Sequence, residues 1–529
     1  MRFGFLSAIF GLLFIALGTN LYKIQVNDSF AYVQKAEAQK EITEALSLRR
    51  GQIFLDNRNG PVPVALNKDK PVIYAAPNRI DNPLETAKKF SVALGIEQSV
   101  LASKLDAPKS KFKLLLEDPS PEALTFVKEA EDKGIQVDNK QYRFYQNGHT
   151  ASHVLGFVGL NDKNSDPVGL YGLEKYLNES LANGDNKELT LDISLQNQAE
   201  EVLAQLVKDH SASGGSILMQ DPKTGAVLAM ASKPDFDPNN YKDFPVKNFI
   251  NPAVQLVYEP GSVFKPLTMA AGIDTGVITP QTTFVDTGKV TLNGKTIRNW
   301  DLKAHGKVTM TEVIEKSINT GTVFAQQKIG NDKFYEYMKL FGFGKFSGID
   351  LPDEVTGSLR NLERKNSQPV DFATAAFGQG ASVTPLQLIT AFSAVANGGV
   401  LMKPYISKDF KPEVVRRVIK RETADQVTAM MESAVIKGKI AGVPHFKVAG
   451  KTGTAFIPGR GGYEPEDQLI ESYVGFLPVS DPRVTILVKL DRPDKPLASL
   501  TVVPAFHTLA QFVINYYNIS PDNLVPETE

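Results

Sequence analysis

Tyr258-Glu259-Pro260-Gly261-Ser262-Val263-Phe264-Lys265-Pro266-Leu267-Thr268-Met269-Ala270-Ala271-Gly272-Ile273 is the stretch on which the fold and chemistry of this chain turn. A proline is tolerated in a helix only within its first turn, so Pro266 puts Ser262 at or near a helix N-terminus. Residues three apart share a helix face, which lays Lys265 under Ser262 within reach of its hydroxyl. The free N–H groups of a first turn also favour a developing negative charge. A hydroxyl, an adjacent base and an oxyanion donor are what acyl transfer requires. Read alone, the pair also fits a capping serine and a surface lysine. One other serine has a lysine three residues on, Ser110, and it sits in a Lys-rich polar stretch where chance suffices.

Two segments downstream add weight. Ser317-Ile318-Asn319 lies between helical runs and offers a second hydroxyl to relay a proton and an amide to hold a peptide. Ser and Asn also suit a cap and a turn there. Lys451-Thr452-Gly453-Thr454 lies in the strand-like run Val448 to Ile457; Lys451 offers charge to a carboxylate, and Gly453 permits close approach to the backbone. A second Lys-Thr-Gly, at Lys223, Thr224 and Gly225, follows Asp221-Pro222 between two apolar runs and reads as a hairpin turn. His149 and His153 are four apart but lack the Glu and third ligand of a metal site, so no metal is expected. The glycines at 342, 344 and 348 follow a helix without a βαβ setting and read as a cap and turn.

Composition frames this. The chain has 529 residues, 42% of them apolar and 22% charged, with 58 Lys+Arg against 59 Asp+Glu. Such a chain is globular, and its near-zero net charge gives no footprint for nucleic acid. With no cysteine, thiol nucleophiles, Cys-bound metal and disulfide scaffolds are excluded. Phe3 to Tyr22 carries no charge and, as a helix, matches the roughly 30 Å hydrocarbon thickness of a bilayer. It reads as a retained single-pass anchor, with a cleaved signal peptide as the alternative; either way the remainder is exported. The expected organisation is a short cytoplasmic tail at 1–2, the anchor at 3–22, a stalk helix at 23–50, an α+β domain at 51–185 and a catalytic domain at 186–529. In the last, Gly215 to Ser232, Phe446 to Phe456, Ser472 to Pro478 and Val484 to Leu490 read as strands of one antiparallel sheet. Helices are expected over Ile193 to His210 and Pro504 to Tyr517, with others starting at Val263, Thr311, Asp332, Thr384 and Glu422.

Ser-x-x-Lys, Ser-x-Asn and Lys-Thr-Gly in this order resemble the motif set of the serine β-lactamases and penicillin-binding proteins. The chain resembles the class B penicillin-binding proteins, monofunctional peptidoglycan D,D-transpeptidases, over nearly its whole length. Arg50-Gly51-Gln52-Ile53, Asp56 and Arg58-Asn59-Gly60 look like their entry to the pedestal domain, with Asn57 as an extra residue. Gly169 to Glu174, Leu191-Asp192 with Leu195-Gln196, Asp221 to Ser232 and Phe377 to Leu388 resemble further family stretches.

The resemblance implies a multidomain α+β or α/β protein: an N-terminal transmembrane helix, an α+β pedestal (dimerisation) domain, and a serine transpeptidase/β-lactamase-like domain with a central antiparallel sheet flanked by helices. Read from the sequence, no glycosyltransferase domain is expected ahead of the pedestal and no PASTA-like repeats after the last helix. The resemblance implies that Ser262 attacks the penultimate D-Ala carbonyl of a stem peptide, with Lys265 as base. Ser317 would relay the proton and Asn319 hold the acyl amide. Lys451, Thr452 and Thr454 would bind the carboxylate on the Gly453 strand, and the N–H groups of Ser262 and Thr454 would form the oxyanion hole. No cofactor is implied. β-Lactams are expected as inhibitors, the plasma membrane as location, septal synthesis more than elongation as role, and a SEDS-type glycosyltransferase and division proteins as partners. The alternatives are a D,D-carboxypeptidase or β-lactamase on the same fold, or a non-catalytic β-lactam sensor or scaffold.

Overall fold

The computed structural model describes residues 2–23, 25, 50–161, 164–439, 441–459, 462–463, 468–494 and 497–522. Arg2–Tyr22 form one helix. Its side chains are described from Gly11 onward, and among the described residues no helix is long and apolar enough to cross a membrane. The expected stalk, 23–50, lies almost wholly outside the described residues.

Two compact units are present, one of residues 1–50 and 67–144 and one of 51–66 and 145–529. The smaller is α+β. The later part of strand Val62–Ala75 pairs with Lys113–Leu116, and that strand also pairs with Ile135–Tyr145. Helices Pro83–Leu94, Gln98–Leu105 and Pro121–Glu129 pack Phe90, Leu101 and Val127 with Ile73 and Ile135 of the strands. Two of these helices start by one rule. Asn82 and Ser120 each accept a backbone N–H three residues on, and a proline follows at the first helical position.

Packing divides the chain differently from a single boundary after Asp185. Residues 51–66 and 145–185 belong to the larger unit because their contacts lie there. Strand Ile53–Asp56 pairs in parallel with Lys187–Asp192. The Phe157 ring stacks on Tyr241 with centroids 4.2 Å apart and meets Phe236 and Phe249 edge-on. Asn239 both donates to and accepts from the Tyr145 backbone. Residues Gly172–Tyr176 and Asn178–Ala182 form two short helices.

The heart of the larger unit is an antiparallel five-stranded sheet in the order Ala449–Phe456, Leu469–Leu477, Val484–Asp491, Gly214–Gln220, Val227–Lys233. Chain-distant pieces thus close one sheet. Its inner strands are apolar runs bounded by turns because both faces are buried. Ile217, Met219, Ile486, Val488 and Tyr473 point to one face, where helices Ile193–Asp209 and Val502–Tyr517 cover them. Leu218, Leu487, Val474 and Phe476 point to the other, against helices Lys265–Asp274 and Pro385–Ala396. Asp192 starts the first covering helix by accepting from the Ser194 and Leu195 N–H groups. Lys223-Thr224-Gly225 forms the turn between two strands, with Lys223 paired to Asp481 and Thr224 donating to Asp221.

Candidate active site

The turn that carries Ser262 is a short 3-10 segment, Gly261–Phe264, running into the α-helix Lys265–Asp274. Pro266 falls in the first α turn, one turn later than a helix opening at Ser262. Two glycines let this turn press into its neighbours. Gly261 has φ +62°, and a Cβ there would lie 2.4 Å from the Thr454 carbonyl oxygen. Gly378, at φ +82°, accepts the Gly261 N–H through its carbonyl at 3.0 Å, and a Cβ on it would lie 2.2 Å from the Gly261 carbonyl oxygen. Such φ values cost a glycine little and any other residue more. The Ser262 turn is therefore wedged between the Lys-Thr-Gly strand and the Phe377–Gly380 segment.

Lys265 is not a surface lysine: its relative exposure is 0%. Its Nζ donates to the Ser317 carbonyl at 2.5 Å and lies 3.1 Å from the Ser317 hydroxyl. Lys451, also buried, approaches the same hydroxyl at 3.1 Å and the Thr452 carbonyl at 3.1 Å. Burial and then the neighbouring Lys451 charge bring Lys265 well below the usual lysine range. Burial brings Lys451 down to about 7. Two amines on one oxygen in a dry site favour one of them neutral, and the deeper Lys265 is that one. A neutral amine has two hydrogens and a lone pair. Ser317 takes both hydrogens, which leaves the lone pair for another proton donor.

Ser317 occupies the junction between helices Met310–Glu315 and Asn319–Ile329, with φ +55°. Asn319 opens the second helix and donates its amide N–H to the Arg298 carbonyl at 2.9 Å. Thr320 donates to buried Asp286 at 2.6 Å, and Asp286 also accepts from Asn299 and from the Gly288 and His305 N–H groups. Burial alone would raise that carboxyl; these four donors bring it below its usual range. The loop 286–305 is thereby tied to the Ser-x-Asn helix.

The Lys-Thr-Gly strand is the sheet's edge. Gly453 is buried, but what approaches it is protein. A Cβ there would lie 2.8 Å from Val263 Cγ1 and 2.9 Å from the Pro260 carbonyl. Thr454, opposite Glu471 in register, is exposed. Its hydroxyl lies 3.0 and 3.2 Å from the two Glu471 oxygens. Ser262, Lys265, Ser317, Lys451, Gly453 and Thr454 thus come together through direct contacts or adjoining turns. Thr452 flanks them and Asn319 stands one helical position beyond Ile318.

Sequence reasoning missed two residues here. Trp300, the chain's only tryptophan, is 69% exposed and donates its indole N–H to the Lys316 carbonyl at 3.2 Å, beside Ser317. Glu471 is fully buried behind Thr454. A lone tryptophan and a charge beside an apolar run are signals the sequence held. His149 and His153 form no pair on one helix face: His149 sits in a turn 3.3 Å from Asp235, and burial lowers His153 to about 4.

Residues 215–510 match the penicillin-binding protein transpeptidase domain and residues 46–217 the penicillin-binding protein dimerisation domain. The chain belongs to the penicillin-binding proteins that carry both domains. Stage V sporulation protein D of Bacillus subtilis is 32% identical over 91% of this chain and 81% of its own length. The peptidoglycan D,D-transpeptidase FtsI of Escherichia coli is 27% identical over 95% and 89%. Penicillin-binding protein 3 of Mycobacterium tuberculosis superposes with a TM-score of 0.66 at 30% identity, over 72% of this chain and 92% of that one.

Proposed function

We propose that this chain cross-links peptidoglycan by serine acyl transfer at Ser262. The Ser262 Oγ attacks the penultimate D-Ala carbonyl of a stem peptide and its proton passes to the neutral Lys265 Nζ. The developing oxyanion is held by the N–H groups of Ser262 and Thr454. Ser317, touched by both lysines, passes a proton to the leaving amine, and D-Ala departs from an acyl-enzyme. An amine of a neighbouring stem then attacks the ester carbonyl, loses its proton along the reverse route and frees Ser262. Lys451, Thr452 and Thr454 hold the carboxylate end and Asn319 the acyl amide. The observation that carries this is the convergence of Lys265 and Lys451 on the Ser317 hydroxyl beside the nucleophile turn. Electrostatic donors in such sites are worth on the order of 3 kcal/mol each.

The experiment is labelling with a fluorescent penicillin. Wild type should become covalently labelled and Ser262→Ala should not. D-Ala release with and without an acceptor amine then separates cross-linking from hydrolysis. Labelling that survived the substitution would place the nucleophile elsewhere.

The wider assignment rests on sequence. Residues 51–185 act as the pedestal and 186–529 as the transpeptidase module. The uncharged helix at the N-terminus holds the chain in the plasma membrane, with the catalytic unit outside the cytoplasm, and the role is in septal synthesis. Anchor and pedestal dock a SEDS-type glycosyltransferase. Copurification of that partner with a chain lacking residues 3–160 would refute the docking.

A further inference from the structure

Glu471 is a carboxyl that the chemistry above leaves unused. It is fully buried on the strand next to the Lys-Thr-Gly strand, paired with Thr454 in register. Both its oxygens lie within hydrogen-bond distance of the Thr454 hydroxyl, and the Ala498 N–H also donates to it. Alternation sets Thr454, Glu471 and Tyr473 on one face of the sheet and Lys451 and Val474 on the other. An exposed hydroxyl at the carboxylate-binding strand is thus held from behind by a buried acid.

A hydroxyl has one hydrogen. An ionised Glu471 only accepts, so Thr454 gives that hydrogen backwards and turns lone pairs outward, where a substrate carboxylate needs a donor. A protonated Glu471 donates to Thr454 instead and frees the Thr454 hydrogen to turn outward. We propose that Glu471 is a positioning residue acting through Thr454: its protonation decides whether Thr454 donates to the carboxylate end of a stem peptide or β-lactam. The proposal rests on the D,D-transpeptidase reading.

The switch falls near neutrality. Burial pushes Glu471 up to about 7, with Thr454 and Ala498 holding it back. Among the described residues the charged groups of the packed strands mostly turn elsewhere. Lys451 and Lys489 lie on the opposite face, and Asp491 pairs with Lys489. Arg492, past the strand end, is the cation that alternation leaves on this side. Tyr473 shares the face, and burial keeps its phenol neutral. The covering helix presents Val502, Val503 and Phe506, while its Tyr516 turns to Asp192. His507, next to Phe506 on that helix, is half-buried.

The test is the rate constant for acylation of the purified full chain by benzylpenicillin as a function of pH. Lys265 and Lys451 titrate in every variant, so the ratio of Glu471→Gln to wild type isolates Glu471. The Ala498 N–H claims the amide oxygen, which aims the amide N–H at Thr454. The ratio should stay near one at about pH 5.5 and rise roughly fivefold to tenfold by about pH 8.5. In a Thr454→Ala background it should stay flat, which a merely structural role would not predict. If Glu471→Gln fails to unfold cooperatively, Glu471→Leu replaces it with the same expectation. A flat ratio on an acylated enzyme, or the same rise without the Thr454 hydroxyl, overturns the proposal alone. Wild type that no β-lactam acylates at any pH overturns the transpeptidase reading and this proposal together.

Discussion

Lys265 and Lys451 meet on one oxygen: each Nζ lies 3.1 Å from the Ser317 hydroxyl. The Lys451 charge opposes protonation of Lys265, and the effect has a testable sign. Lys451→Met removes the charge that helps hold Lys265 down. The acid limb of β-lactam acylation, which reports deprotonation of Lys265, should move to higher pH. The rate at neutral pH should also fall roughly tenfold to a hundredfold, because a charge-assisted hydrogen bond to the ligand carboxylate is lost. Acylation followed across pH checks both; an unmoved limb would decouple the lysines.

Lys265→Met separates stability from activity. Burial of Lys265 at 0% exposure disfavours its charged form, so its native pKa is depressed below the unfolded one. Below the unfolded value the native state then binds fewer protons, so wild-type stability falls as pH falls. Methionine fills similar volume without that cost. Thermal unfolding should show Lys265→Met at least as stable as wild type at pH 8 and increasingly favoured toward pH 6. Acylation should be reduced by about a thousandfold or more, as expected for a lost general base.

Ser317, the proposed proton relay, sits on a strained backbone. At φ +55° a side chain costs energy that glycine avoids. Ser317→Ala and Ser317→Gly both remove the hydroxyl that the two lysines share, and acylation should fall by a similar factor, on the order of a hundredfold, in each. Denaturant unfolding should nevertheless rank the glycine variant about 0.5–1 kcal/mol above the alanine one. Unequal activities would mean that backbone geometry, not the hydroxyl, carries the effect.

Much of this was legible in the sequence where the cause is local. Apolar runs between turns marked the sheet strands, and Pro266 with the Ser262–Lys265 spacing marked the helix start at or near Ser262. What was not legible depends on chain-distant partners. Strand Ala449–Phe456 starts three residues later than expected and Leu469–Leu477 three earlier, because pairing to each other sets both ends. Residues 145–185 pack with the catalytic unit through partners such as Tyr241 and Asn239, which no local pattern reveals. The meeting of the two lysines on Ser317, and the retention of Thr454 by Glu471, exist only once the sheet is closed.

Glu200 gives a stability prediction away from the chemistry. Its Oε1 accepts from the Ala151 N–H and from Gln196 Nε2, both at 2.7 Å, yet burial dominates and pushes the carboxyl up to about 7. A carboxyl raised in the native state binds more protons there than when unfolded, so stability is lost as pH rises from the unfolded value through the folded one. Glu200→Gln keeps the acceptor oxygen for both donors and removes the ionisation. The variant should match wild type near pH 4.5 and exceed it above pH 7, by on the order of 1–2 kcal/mol. Urea unfolding at a series of pH values reads this directly. A difference that stayed constant across that window would mean that Glu200 is already ionised in the folded chain, held by its two donors against the cost of burial.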